Sequence, residues 1–442
     1  MGEPQGPRAL ARLGNDPAFA LAGESVLLSR VRGERLEVRS LPLAPAGPGR
    51  VVFSFRAPPG ARPAARLEAS SQRVGLIVIA LEAQRSRGQP FSGAPPGPWS
   101  ALAPLRQHVD DRFHPAWHEV DGDTLFTSEV RADVGRVRVV VREGAGEPRT
   151  VDLPEGVLQT AFAGDFVAFA VAVPGQPADD EPRRLVVQNW RTRAQTATAV
   201  AREGIEHFDV RADGRAVISE DGGGLLALEG SSHWRRLTRD GVAPAFAGDR
   251  IVFVDPGSRE GDQRLRIVEP GGRVRAFGVP TSRIDQFRTD GARVLWSANG
   301  CLLVADVAAS AAAEPGPGAC VRSELFLDDA GPSPALDRRR RVPLTLRCIA
   351  AAPPGCRGTL RLRLADDPSR EAARPLRFRI PAGRSQRLAP RLTRHGYRAA
   401  IAEARAAQAG AALEVDAVAV DPAGRRSRLR DGYVIEVPRR LW

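Results

Sequence analysis

His108, His114 and His118 stand in the stretch QHVDDRFHPAWHEVD with Asp110, Asp111 and Glu119. Imidazole nitrogens and carboxylate oxygens are the ligands of zinc and related ions, so this stretch invites a metal reading. The spacing opposes it. Pro115 breaks any helix that would bring His114 and His118 to one face. In a strand, residues four apart share a face but lie about 13 Å apart. His114 and His118 are the candidates were a metal bound, but the stretch reads as a polar loop leading into a strand, and neither a metal nor a cofactor is expected.

Other chemistry-bearing patterns dissolve in the same way. In GSSHW, Gly230 to Trp234, a serine precedes His233, yet adjacent residues of a strand point to opposite faces. No G-x-S-x-G elbow occurs, and no α/β region could host a hydrolase. EDGGGLL, Glu220 to Leu226, has glycines but lacks the Lys-Ser/Thr and the following helix of a phosphate loop. Asp179, Asp180 and Glu181 form an acidic run that could supply a carboxylate pair or calcium oxygens, and that reads as a solvated loop.

The elements that must position such residues repeat. QTAFAGDFVAFAV at Gln159 to Val171 returns as APAFAGDRIVFVD at Ala243 to Asp255. The same grammar, an extended run, a Gly/Asp turn and a second run, appears at Ala18 to Ser29, Ala116 to Ser128, Phe208 to Ser219 and Asp285 to Ser297. A degenerate copy spans Arg66 to Ala80. Gly-Asp and Asp-Gly turns are strong hairpin signals. Seven turns, near residues 23, 72, 122, 164, 213, 248 and 290, define units of about 45 residues, each followed by two more strand-like runs. Four antiparallel strands per unit make a β-propeller blade. The second run of each unit, such as FVAFAVAV or IVFVD, is almost continuously apolar, as burial on both faces requires. Leu10 to Gly14, LARLG, matches the outermost run that precedes a later hairpin, so it is expected to complete the last blade.

This grammar resembles the TolB-like and WD-type propellers over residues 8–307. A small-residue linker, 308–319, follows, and then strand signals without the repeat. In TLRLRL the leucines fall at period two and turn Arg361 and Arg363 to water. RHGYRAAIAEARAAQAG is read as strands. VDAVAVDPAGRRSR, with Asp421, Ala423 and Gly424 at its turn, resembles the penultimate hairpin of bacterial immunoglobulin-like domains. The expected fold is therefore all-β: a seven-bladed β-propeller (8–307) with a C-terminal immunoglobulin-like β-sandwich (320–442).

Four cysteines allow three pairings. Cys348 and Cys356 flank a Pro-Gly loop and suit a local bridge, which leaves Cys301 with Cys320. Two bridges imply an oxidising compartment, so an extracellular or cell-envelope location is expected, with the cytoplasm as the alternative because MGEPQGPRALARLG lacks the apolar core of a signal peptide. No run is long enough for a transmembrane helix. The net charge is +12, and all 64 basic residues are arginine. Such usage follows genome composition, so the charge is expected to be spread over the surface and nucleic acid is not the expected partner.

The function expected is non-catalytic: a binding or scaffold protein that uses a propeller face to recognise a protein or a cell-surface glycan. The long connections, residues 82–99, 173–184 and 255–263, place that face on the side of the second-to-third-strand loops. Its candidate contacts are Phe91, Trp99, Trp117, Asp179, Asp180 and Glu181, with the two aromatics of the second blade as exposed anchors. The alternative is a lyase or glycan-acting propeller enzyme with carboxylates, histidine and arginine at the channel mouth.

Overall fold

A computed structural model describes residues 8–438, except 14–16, 44–48, 82–85, 96, 103–105, 108–113, 132–135, 145, 158, 172, 174–183, 202, 258–262, 282–283, 299–300, 310–323, 328–334, 350–354, 366–369, 382–383, 408–409 and 421–425. Up to Asp306 these residues form seven antiparallel sheets, taken here in chain order. Their first strands are Phe19–Ala22, Arg62–Ala69, His114–Asp121, Gln159–Ala163, Ile205–Val210, Val242–Ala247 and Ile284–Thr289. Each first strand touches the first strand of the next sheet, and the seventh touches the first, so the sheets stand around a closed ring. That is a β-propeller.

The core lies between the sheets. Second strands such as Val74–Leu81 and Arg250–Asp255 bury almost every residue, because a neighbouring sheet covers each face. Leu27, Leu36 and Val38 of the first sheet pack with Leu67, Leu76 and Val78 of the second, and the other sheets repeat the pattern. Gly75 lies close under the third sheet: a Cβ there would sit 2.6 Å from Leu125 Cδ1 and 3.2 Å from the His118 Cβ, so a larger residue would force those side chains to shift.

The ring is tied along the rim of the tight turns. Cβ atoms on Gly23 and Gly164 would lie 3.4 Å from Ser71 and 3.1 Å from Ala212, in the turns of the next sheets. Ser70 donates to the Gly122 carbonyl, and Gly164 N donates to Asp121. Arg211 pairs with Asp249, Gly248 abuts Gly291, and Arg293 reaches Glu24, 3.3 Å away. Each turn thus holds its successor, and the last holds the first. Outermost, Arg8–Arg12 pairs antiparallel with Cys301–Asp306 and completes the seventh sheet as expected, with Leu10 and Leu13 packed over Leu302 and Val304.

The second sheet departs from the expectation. The segment 82–99 is not an insertion between strands: Ser86–Gly93 pairs with Val74–Leu81 along its whole length as the third strand. Pro90 and four glycines or serines around it hid that strand from its composition. Gly93 is required there, since a Cβ would come within 2.5 Å of the Pro98 carbonyl oxygen.

Beyond residue 320, two sheets share one core. Glu324–Leu327, Leu344–Ile349 and Ser385–Leu388 form the smaller, in that chain order. Leu376–Ile380, Cys356–Leu364, Ala411–Val420 and Arg426–Ile435 form the larger, in that spatial order. The Cys348–Cys356 disulfide forms as expected, with Cα atoms 5.8 Å apart; it closes the short loop between these residues and joins the two sheets. Cys301 is buried and is not a free thiol; its expected partner Cys320 lies outside the described residues. Residues 394–407, read as strands, are an α-helix. Thr393 caps it by accepting a bond from Gly396 N at 3.0 Å, and Ala400 and Ala404 bury its inner face at helical spacing. Among the described residues no helix is long and apolar enough to cross a membrane, which says nothing about spanning by strands.

Candidate functional site

The first strand of each propeller sheet is an edge strand, and its outward N–H groups face the channel unpaired unless something reaches them. Carboxylates do. Glu119 accepts the N–H of Phe162 in the fourth sheet at 2.6 Å. Asp209 accepts that of Phe246 in the sixth at 2.7 Å and that of its neighbour Val210 at 2.8 Å. Glu68 in the second sheet pairs with Arg288 in the seventh at 2.7 Å, bridging past the apolar first strand of sheet one.

These four groups occupy one level. Glu68, Asp209 and Arg288 each stand opposite the second residue after their tight turn, and Glu119 opposite the third. At the rise of a strand this is about 7–10 Å inside the tight-turn rim. Their charges act on one another. Burial pushes Glu119 well above the usual carboxylate range, its bond from Phe162 offsets part of this, and the charges of Asp209 and Glu68 add to the rise. Burial likewise raises Asp209 to about 6 against the two N–H bonds that favour its charged form. Glu68 is raised too, because desolvation outweighs its pairing with Arg288. Carboxyls raised in this way are able to move protons, although here each also holds a neighbouring sheet.

The expected metal pair does not assemble. His118 is buried between the second and third sheets, with Nδ1 3.0 Å from the Thr127 hydroxyl. Burial, and then the positive charge of Arg142, hold it down to about 3, so it stays neutral. His114 lies in the same strand; the placement of its side chain, and residues 108 to 113, lie outside the described residues. Among the described residues no group of three metal-ligating side chains converges.

The two aromatic anchors are corrected outright. Phe91 is 8% exposed and meets Phe53 edge-on, with ring centroids 4.9 Å apart. Trp99 is 9% exposed and stacks on the same ring at 5.4 Å. Both close the core between the first and second sheets, Phe91 from the third strand, whose alternate side chains turn inward, and Trp99 from the connection that follows it. Trp117 is half-buried and ties the third sheet to the fourth through a bond from Nε1 to Thr160 at 2.9 Å. Asp179, Asp180 and Glu181, like Asp110 and Asp111, lie outside the described residues. Sequence reasoning passed over Glu68, Asp209 and Arg288. The available signal was a charged residue two or three positions before the tight turns of the second, third, fifth and seventh units, where the first, fourth and sixth have none.

No family model matches the chain, and no curated protein matches it. Solved structures do. The β-propeller domain of the Trilobed protease from Pyrococcus furiosus is 11% identical, covering 66% of this chain and 94% of that one, with a TM-score of 0.45. The WD40 domain of Toxoplasma gondii coronin is 13% identical, covering 70% and 88%, at 0.42. BamB from Moraxella catarrhalis is 14% identical, covering 65% and 84%, at 0.40. At these values the propeller assignment rests on the sheet order and ring contacts of the chain itself.

Proposed function

We propose that the chain is a non-catalytic binding or scaffold protein of the cell envelope or extracellular space, a seven-bladed propeller followed by an immunoglobulin-like sandwich. The observation that carries the non-catalytic reading is the use of the channel carboxylates. Glu119 and Asp209 spend their oxygens on backbone N–H groups of neighbouring sheets, and Glu68 spends its on Arg288. They hold the ring together. The sandwich reading is supported by a smaller sheet of the first, second and fifth strands facing a larger one in which the third and fourth pair beside the last two. The inter-sheet disulfide supports the location outside the cytoplasm.

The recognition face is the one opposite the tight turns, where the second-to-third-strand connections emerge. Trp117 borders it, and Asp179, Asp180 and Glu181, which fall between the strands Phe166–Val171 and Arg184–Asn189, are its proposed acidic contacts. The partner is a protein or a cell-surface glycan. Screening the full chain against a glycan array and cross-linking it in its native envelope tests this, with contacts expected at Trp117 and residues 173–184. Cross-links confined to the tight turns would place recognition on the other face. The raised carboxyls Glu119 and Asp209 favour one rival, a glycan-cleaving enzyme. Release of unsaturated uronate from acidic polysaccharides, lost in Asp209→Asn, would establish the rival instead.

A further inference from the structure

The net charge is not spread over the surface. Residues 1–319 carry 39 arginines against 39 acidic residues, whereas residues 320–442 carry 25 against 13. All of the +12 therefore belongs to the C-terminal unit. Composition bias acts on both parts alike, so it does not account for the partition.

Within that unit the excess has a place. Alternation along the four-stranded sheet sends Leu360, Leu362, Phe378, Val415 and Ala417 into the core. The intervening residues face outward. Across one end of that outward face, register aligns Arg379, Arg357, Val420 and Arg426, and the next row aligns Arg377, Thr359, Val418 and Arg428. At the other end the charges balance: Asp416 accepts from Arg428 and pairs with Arg363, and Glu414 pairs with Arg430. Among the described residues Arg357, Arg377, Arg379 and Arg426 are exposed with no such carboxylate. Arg357 and Arg379 stand directly opposite each other, an arrangement that weakens a sheet unless an anion lies over it. Four strands at about 4.8 Å spacing spread the patch over about 14 Å of sheet surface.

We propose that this face docks on an anionic phospholipid surface. Guanidinium forks match phosphate oxygens, and the half-buried Val418 and Val420 lie among them without a charge of their own. The outward positions described include no aromatic ring and no side-chain amide. Among the described residues, stacking of bases or sugars and directional reading of either have no platform here, and no described element rises from the sheet to enter a duplex groove. What remains is a plane of charge that suits a plane of headgroups. This goes beyond propeller recognition and does not depend on it.

Co-sedimentation of the full chain with vesicles tests the proposal. Binding is expected to phosphatidylcholine vesicles carrying about 30% phosphatidylglycerol, to weaken with salt, and to be absent on phosphatidylcholine alone. Each arginine near such a surface contributes about fivefold. Arg357→Gln, Arg377→Gln, Arg379→Gln and Arg426→Gln together are therefore expected to weaken binding by about a hundredfold or more, with the melting temperature retained or raised. A charge-matched control, Arg50→Gln, Arg56→Gln, Arg215→Gln and Arg235→Gln on the propeller, is expected to bind as the parent does. Equal binding by the first variant overturns the proposal. So does tighter binding to a DNA duplex or to dextran sulfate than to the vesicles, which would make the occupant a polymer.

Discussion

Replacing Asp209 by Asn is expected to flatten the pH dependence of propeller stability between about pH 4 and 6. The carboxyl is raised from 3.8 to about 6 in the folded ring. Over that interval the folded chain keeps a proton that the unfolded chain has released. Stability contributed by the protonated group is therefore full below about pH 4, declines as pH rises to about 6, and is constant above. A shift of about two pH units corresponds to about 3 kcal/mol, an upper limit because Asp209 keeps some contact with channel water. Asparagine does not titrate, so the slope should fall by about 1.4 kcal/mol per pH unit at mid-interval. Asparagine also offers one oxygen where Val210 and Phe246 use two, so the absolute stability of the variant falls; the slope is the diagnostic. Five of the six tryptophans, at 99, 117, 190, 234 and 296, lie in the propeller, so tryptophan fluorescence during unfolding reports it separately from the sandwich. Equal slopes for parent and variant would refute both the burial of this carboxyl and its place in the channel.

Phe91→Ala and Trp99→Ala should each cost about 3–5 kcal/mol of stability, and the double variant less than the sum, because both rings rest on Phe53; calorimetry decides, and loss of partner binding with an unchanged melting temperature would return them to the surface. Deleting residues 1–14 uncovers Leu302 and Val304 and should lower the propeller transition by the equivalent of two aliphatic side chains at about 1.5–3 kcal/mol each. An unchanged transition would mean that the ring closes without its outer strand.

The hairpins were legible because Gly-Asp and Asp-Gly turns are local: Gly122, Gly164 and Gly248 take left-handed conformations that few other residues adopt. The closing strand was legible because Leu10 to Gly14 repeats a phrase found elsewhere. The third strand of the second sheet was not, since its pairing with Val74–Leu81 outweighs the poor propensity of Pro90 and Gly88. The helix at 394–407 escaped because alanines make its buried stripe, and their low hydrophobicity blurs a 3.6-residue period. The channel groups escaped for a deeper reason. Glu68 and Arg288 are 220 positions apart and meet only once the ring is closed. The charge of the whole chain was visible, but its concentration on one sheet depended on knowing which strands pair.

The antiparallel closure of the seventh sheet also has a mechanical meaning. Arg8 lies opposite Val304, while Arg12 lies opposite Cys301 at the far end of the pair. The chain therefore enters the outer strand and leaves its partner, toward the C-terminal unit, from the same end. Tension between residue 8 and residue 307 peels this pair apart one rung at a time, beginning at Arg8, instead of loading every hydrogen bond at once as shear would. If the sandwich grips a surface while the propeller holds a partner, pull transmitted through residue 307 with residue 8 free bypasses the closure entirely. Only a load applied at both ends would unzip it.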